Sequence, residues 1–63
     1  MVKFIFVKIA YRAPTIDGDY MPLWLYDRPL YVIKEKEDTV VGRYNNSEFY
    51  TYEFNKKYIE KSL

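Results

Sequence analysis

Two close carboxylate pairs, Asp17/Asp19 and Glu37/Asp38, and two serines, Ser47 and Ser62, are the side chains of this chain best suited to chemistry. The sequence holds no His to act as general base and no Cys to act as nucleophile. General acid–base catalysis needs a carboxylate with a raised pKa in a dry cleft. Both pairs fall in segments that read as exposed loops. Ser47 falls in a turn and Ser62 beside the C-terminus, where neither is held in place. Asp17-Gly18-Asp19 has the flavour of an oxygen-ligand loop. Calcium, however, takes about six to eight oxygens at wider, regular spacing, so the triplet reads as a plain turn. The expectation is a protein that is not an enzyme and uses neither metal nor cofactor.

Binding chemistry is better represented. Thirteen of the 63 residues are aromatic, eight of them Tyr. Trp24 lies in Pro22-Leu23-Trp24-Leu25-Tyr26 and is followed by Arg28. If Met21, Leu23 and Leu25 point inward, alternation turns Trp24 and Tyr26 outward. An exposed Trp–Tyr pair beside Arg28 has the composition of a protein-interface hot spot. The opposite register buries Trp24 as the main core ring, and a one-residue slip separates the two. A second grouping joins Lys56, Lys57 and Lys61 near the C-terminus to Arg43, Tyr50, Tyr52 and Tyr58. Small barrels bind single-stranded nucleic acid with a positive groove and rings on which bases stack. Glu48, Glu53 and Glu60 are interleaved there and dilute the potential. The net charge of +1 and pI near 7.9 also fall short of a dedicated duplex binder, whose domain pI exceeds about 9.

The elements that must position these groups are strands. Val2 to Tyr11 is rich in Val, Ile and Phe with no breaker. Phe4 and Phe6 share one face, with Ile5, Val7, Ile9 and Tyr11 on the other. Residues 12–20 form a long loop, with Pro14 fixing φ and Asp17-Gly18 turning the chain. Met21 to Tyr26 reads as extended, and Asp27-Arg28-Pro29 as a turn. Strands follow from Leu30 to Lys36 and from Thr39 to Tyr44, joined by Glu37-Asp38. Asn45-Asn46-Ser47 is a hairpin turn, because Asn tolerates positive φ. Glu48 to Phe54 alternates, with Tyr50, Tyr52 and Phe54 on one face. Asn55 to Tyr58 has the length of one helical turn, and Ile59-Glu60-Lys61 is a short closing strand. The expected fold is a single all-β domain over residues 1–63, a small five-stranded barrel whose closure would remove exposed edges.

From Asp19 onward the chain resembles an SH3 domain, or more broadly an SH3-like barrel. The resemblance rests on the long first loop, Leu30-Tyr31-Val32-Ile33-Lys34-Glu35, the charged bend, Val40-Val41-Gly42-Arg43-Tyr44 and the Asn-rich turn. It ends on Phe54-Asn55-Lys56-Lys57-Tyr58-Ile59-Glu60, which looks like the family's last helical turn and terminal strand. Ala10-Tyr11-Arg12 sits where the family carries an Ala-Leu-Tyr-Asp-Tyr segment, so Tyr11 and Tyr58 match tyrosines of the family's peptide groove. The departures matter. Thr39-Val40-Val41 stands where the family has a Trp, Asn55 replaces a proline, and the acidic run of the long loop shrinks to Asp17 and Asp19. A polyproline helix needs parallel aromatic ridges, so ordinary proline-motif binding is not implied. SH3-like barrels without the groove also occur in ribosomal, chromatin and small phage or plasmid proteins.

With about 60 residues a domain buries only about 60% of its unfolded surface, and no disulfide is available to staple it. Rings burying about 150–250 Å² each are the expected source of stability. Four apolar residues, Phe4 to Val7, are too few for a signal-peptide core or a membrane span, which leads to the expectation of a soluble, cytoplasmic protein. A chain of this size beginning at Met1 fits an accessory protein of a phage or mobile element. The expected function is a protein-binding or self-associating module using Tyr11, Tyr20, Trp24, Tyr26, Arg28 and Tyr58. The alternatives are nucleic-acid binding through the C-terminal lysines and tyrosines, or a structural subunit of a larger assembly.

Overall fold

The computed structural model describes residues 5–62. Val2, Lys3 and Phe4, which the sequence places at the start of the first strand, lie outside them. Five antiparallel strands make one sheet: β1 (Phe6–Ile9), β2 (Leu30–Glu35), β3 (Thr39–Arg43), β4 (Thr51–Asn55) and β5 (Ile59–Ser62). Their order is β4-β3-β2-β1-β5. The ladder ends at β4 and β5, which do not pair with each other, so the sheet is not closed into a barrel. The edge of β4 is nonetheless partly occupied. The backbone N–H of Ile16, in the long loop, donates to the carbonyl of Glu53 at 3.0 Å.

Period-two patterning decides which side of the sheet is dry. Val7 and Ile9 of β1, Leu30 and Val32 of β2, Val40 of β3 and Phe54 of β4 all point to one face and are buried. Phe6, Tyr31 and Arg43 stand on the other face, and the register sets them in one row: Phe6 opposite Tyr31, and Tyr31 opposite Arg43. Pairing of β2 with β3 shifts between Val32 and Lys34, leaving Ile33 as the extra residue of a bulge. Gly42 is demanded by close packing. A Cβ built there would lie 2.8 Å from the Cβ of Leu30, which is wholly buried.

The first strand ends at Ile9, two residues earlier than the sequence pattern suggests. Arg12 has φ of +66°, and the Ala13 N–H donates back to the Ala10 carbonyl at 3.0 Å, so the chain turns at Tyr11-Arg12. The long loop then runs to Pro22. Its tip is tied by Thr15: the Thr15 N–H donates to the Asp19 carbonyl at 2.7 Å, and the Asp19 N–H donates to the Thr15 hydroxyl at 3.1 Å. Gly18 adopts φ of +86°, the conformation for which glycine suits this turn.

Residues 21–26 depart from expectation. Leu23–Asp27 is a 3₁₀ helix, not an extended segment. Leu25 and Tyr26 lie in the core, and Leu23 and Trp24 are left outside. Shorter 3₁₀ turns occur at Glu48–Tyr50 and, as expected from the sequence, at Lys56–Tyr58. In the latter the Asn55 side chain accepts from the Lys57 N–H at 3.0 Å and caps the turn. Asn45 and Asn46 both have positive φ, +53° and +55°, giving the hairpin turn the hand that matches strand twist. Among the described residues, no helix is long and apolar enough to cross a membrane.

Candidate functional site

The 3₁₀ helix sends its two large rings in opposite directions. Tyr26, expected outward beside Trp24, is instead 2% exposed. Its hydroxyl donates to the Ala13 carbonyl at 2.7 Å and accepts from the Met21 N–H at 3.1 Å. One phenol therefore holds both ends of the long loop. Burial pushes the Tyr26 hydroxyl above the usual tyrosine pKa; the hydrogen bond from Met21 opposes this, and Tyr20 adds slightly to the rise. Tyr26 is a strut and not a surface residue.

Trp24 is neither fully outward nor the core ring. It is 47% exposed, with its ring packed edge-on against Tyr44 and Tyr50, each at a centroid distance of 5.4 Å. Tyr44 and Tyr50 meet each other at 6.2 Å, and Phe49 abuts Tyr50 at 4.9 Å while remaining 79% exposed. The hairpin explains the grouping. The Tyr44 N–H donates to the Tyr50 carbonyl at 3.0 Å, which brings the two rings together just before and after the Asn-Asn turn. The 3₁₀ turn at Glu48–Tyr50 then swings Phe49 out of the alternation. Tyr44 and Phe49 are the members that sequence reasoning missed. Flanking a hairpin turn with aromatics was the available signal for Tyr44.

The remaining candidates form separate groups. Tyr11 is exposed and stacks edge-on against Tyr26 at 5.8 Å, with the Arg12 guanidinium 5.7 Å from its ring centre. Arg12, Tyr20 and Leu23 line a cleft of about 380 Å³ on the same side. Arg28 is exposed at the end of the 3₁₀ helix. Tyr58 is half-buried against the core under the Lys57 ammonium, 5.2 Å from its ring centre. It lines another cleft with Pro14, Thr15, Ile16, Asn55 and Lys57. Trp24 and Tyr26 thus belong to different neighbourhoods, and Tyr11 and Tyr20 lie on the Tyr26 side.

The C-terminal basic grouping does not assemble as one surface. Lys56 is engaged by the Glu35 carboxylate at 2.8 Å, both side chains being largely covered. Tyr52 lies on the core side of β4 with Phe54, and burial raises its pKa. Tyr50 belongs to the Trp24 cluster. Arg43 and Lys61 stand on the outer side of the sheet, where Arg43 Nε donates to the Thr51 hydroxyl at 2.8 Å. The Glu53 carboxyl is held below the usual glutamate pKa, chiefly by the Thr39 hydroxyl at 2.6 Å, with Lys36 at 3.1 Å assisting. Among the described residues, no group of three or more His, Cys, Asp or Glu is placed to hold a metal ion.

No family model matches this chain, and neither a curated protein nor a solved structure does. The functional reading therefore rests on the geometry of the surface itself.

Proposed function

We propose that this chain is a non-catalytic protein-binding module with an SH3-like order of elements on an open sheet, and that its partner docks on the Trp24, Tyr44, Tyr50 and Phe49 cluster. The observation that carries the reading is Phe49. A phenylalanine 79% exposed, set against a half-exposed Trp and two tyrosines, leaves apolar ring surface in water at one place. Hot spots are enriched in Trp and Tyr and gain most when a partner excludes water around them. The 3₁₀ helix and the hairpin meet at the cluster, where Trp24 packs on Tyr44 and Tyr50. The SH3-like assignment draws support from the order of elements: a long loop after β1, an Asn hairpin between β3 and β4, and one helical turn before β5.

The test is capture of a partner from an extract of the source cell. Immobilised protein is compared with its Phe49→Ser and Trp24→Ala variants at low and high salt. A protein retained by the parent at high salt and lost by both variants is the expected result. Retention by both variants, or release by salt alone, overturns the reading.

A further inference from the structure

The outer side of the sheet is a second surface, unrelated to the Trp24 cluster, and its composition is specific. Phe6 and Tyr31 face each other across β1 and β2, with ring centroids 5.6 Å apart and planes at 69°. Tyr31 is 52% exposed and Phe6 37%. Arg43 extends the row on β3. Lys8, two residues along β1 from Phe6, is on the same side and opposite Lys61 of β5. Lys34 stands opposite Val41, which shares that side of β3 with Arg43.

Charge on this side is lopsided although the chain is nearly neutral. Two carboxylates accompany it, and each is engaged: Glu53 by Thr39, Lys36 and the charge of Lys34, and Glu60 by Lys8 at 3.9 Å. The other acidic residues lie elsewhere: Asp17 and Asp19 in the long loop, Asp27 at the end of the 3₁₀ helix, Glu37 and Asp38 in the bend, Glu48 in the hairpin, and Glu35 with Lys56. Among the described residues, Arg43 and Lys61 form no ion pair, while Lys34 shares the Glu53 carboxylate with Lys36. The bond from Arg43 to the neutral Thr51 hydroxyl orients the guanidinium without cancelling it. Phe6 also walls a cleft of about 500 Å³, lined with Val7, Lys8, Pro29, Lys61 and Ser62, so two ammonium groups border apolar space.

We propose that this side of the sheet binds single-stranded nucleic acid, with bases stacking on Tyr31 and Phe6 and the backbone held by Lys34, Arg43 and Lys61. Two exposed rings in register on a sheet form a stacking platform, and cations on both flanks track a phosphate chain across it. Cations outnumber carboxylates around the two rings, and a polyanion of flat bases complements both. Duplex is disfavoured because its bases present no open ring face to Tyr31. The sequence-level grouping of Tyr50, Tyr52, Lys56 and Lys57 plays no part.

Fluorescence anisotropy of labelled oligothymidylate and oligouridylate tests this, with a labelled duplex alongside. The full chain should bind one or both single strands with a dissociation constant of about 1–100 µM near physiological salt, the range of non-specific binding. Tyr31→Ser should weaken this by about 5- to 100-fold, as expected for loss of one stacking ring. Each of Lys34→Gln, Arg43→Gln and Lys61→Gln should flatten the slope of log K against log salt by about 0.7. Phe49→Ser and Trp24→Ala should leave oligonucleotide binding intact, so this proposal and the protein-partner reading fail separately. Circular dichroism confirms that each variant is folded. The proposal is overturned if neither single strand binds at about 100 µM protein in low salt. It is equally overturned if folded Tyr31→Ser binds as the parent does, or if duplex binds more tightly than both single strands.

Discussion

Trp24 and Tyr26 stand two residues apart on one 3₁₀ helix and have opposite duties. Tyr26 spends its whole ring and both hydrogen-bonding capacities of its hydroxyl on the chain itself, tying Ala13 to Met21. Trp24 leaves about half its surface in water and keeps company with the hairpin rings. A helix of period three separates residues two apart by about 240°, so a single short element can serve the core and a surface at once. The contrast also shows why aromatic richness alone says little about binding. Eight tyrosines are present, and the one nearest Trp24 in sequence is among the least accessible.

That contrast can be broken by mutation. Tyr26→Ala should show the largest effect, about 3–5 kcal/mol lost in urea denaturation, enough to unfold much of a domain this small. Tyr26→Phe keeps the ring and should cost about 1–3 kcal/mol, because the Ala13 carbonyl and Met21 N–H lose a buried partner. If Tyr26→Phe matched the parent, the hydroxyl would be no strut and the division of duties would fall.

Alkali sharpens the comparison. Burial raises the folded pKa of Tyr26 above its unfolded value of about 10. The neutral phenol's contribution is therefore complete below pH of about 10 and is lost as pH rises through the folded value. Tyr52 acts in the same direction. Denaturation midpoints measured from neutral pH upward should fall above pH of about 10 in the parent and less steeply in Tyr26→Phe. On the acid side Glu53 has the opposite sign. Its folded pKa is lowered, so its contribution is present above the unfolded pKa of 4.5 and lost as pH falls through the folded value. Glu53→Gln should flatten that limb of the midpoint curve.

Smallest of all should be the effect of Phe49→Ser on stability. A side chain 79% exposed makes few contacts to lose, and the change should stay within about 0.5 kcal/mol. A loss several times larger would make the Trp24 cluster a second core, and its role as a docking surface would no longer follow.

Much of the fold was legible in the chain because strands of period two carry their own phase. Leu30-Tyr31-Val32 and Thr39-Val40-Val41-Gly42 each mark a dry and a wet side, and Asn45-Asn46 announces its own positive φ. The segment 21–26 was not legible in the same way. Leu23, Trp24, Leu25 and Tyr26 are all apolar, so no polar residue distinguishes a two-residue repeat from a three-residue one. Both registers considered for Trp24 presupposed an extended chain, and neither describes a half-exposed ring in a 3₁₀ helix. The cluster was legible only in part, since Tyr44 and Tyr50 reach Trp24 across twenty or more positions of sequence. The Phe6, Tyr31 and Arg43 row depends on the register of three strands, which local pattern does not specify.

The Tyr26 hydroxyl has one more consequence, for engineering. It closes residues 13–21 into a ring without a covalent bond, and Thr15 with Asp19 closes a smaller ring inside it. The tip at Asp17-Gly18 is exposed and nothing lies within 4 Å of where a Gly18 side chain would begin. Foreign peptide spliced between those two residues would hang from a doubly knotted neck. Doubling such a loop adds only about 0.6 kcal/mol of closure entropy, so the chain offers itself as a display scaffold whose insert and whose body can be varied independently.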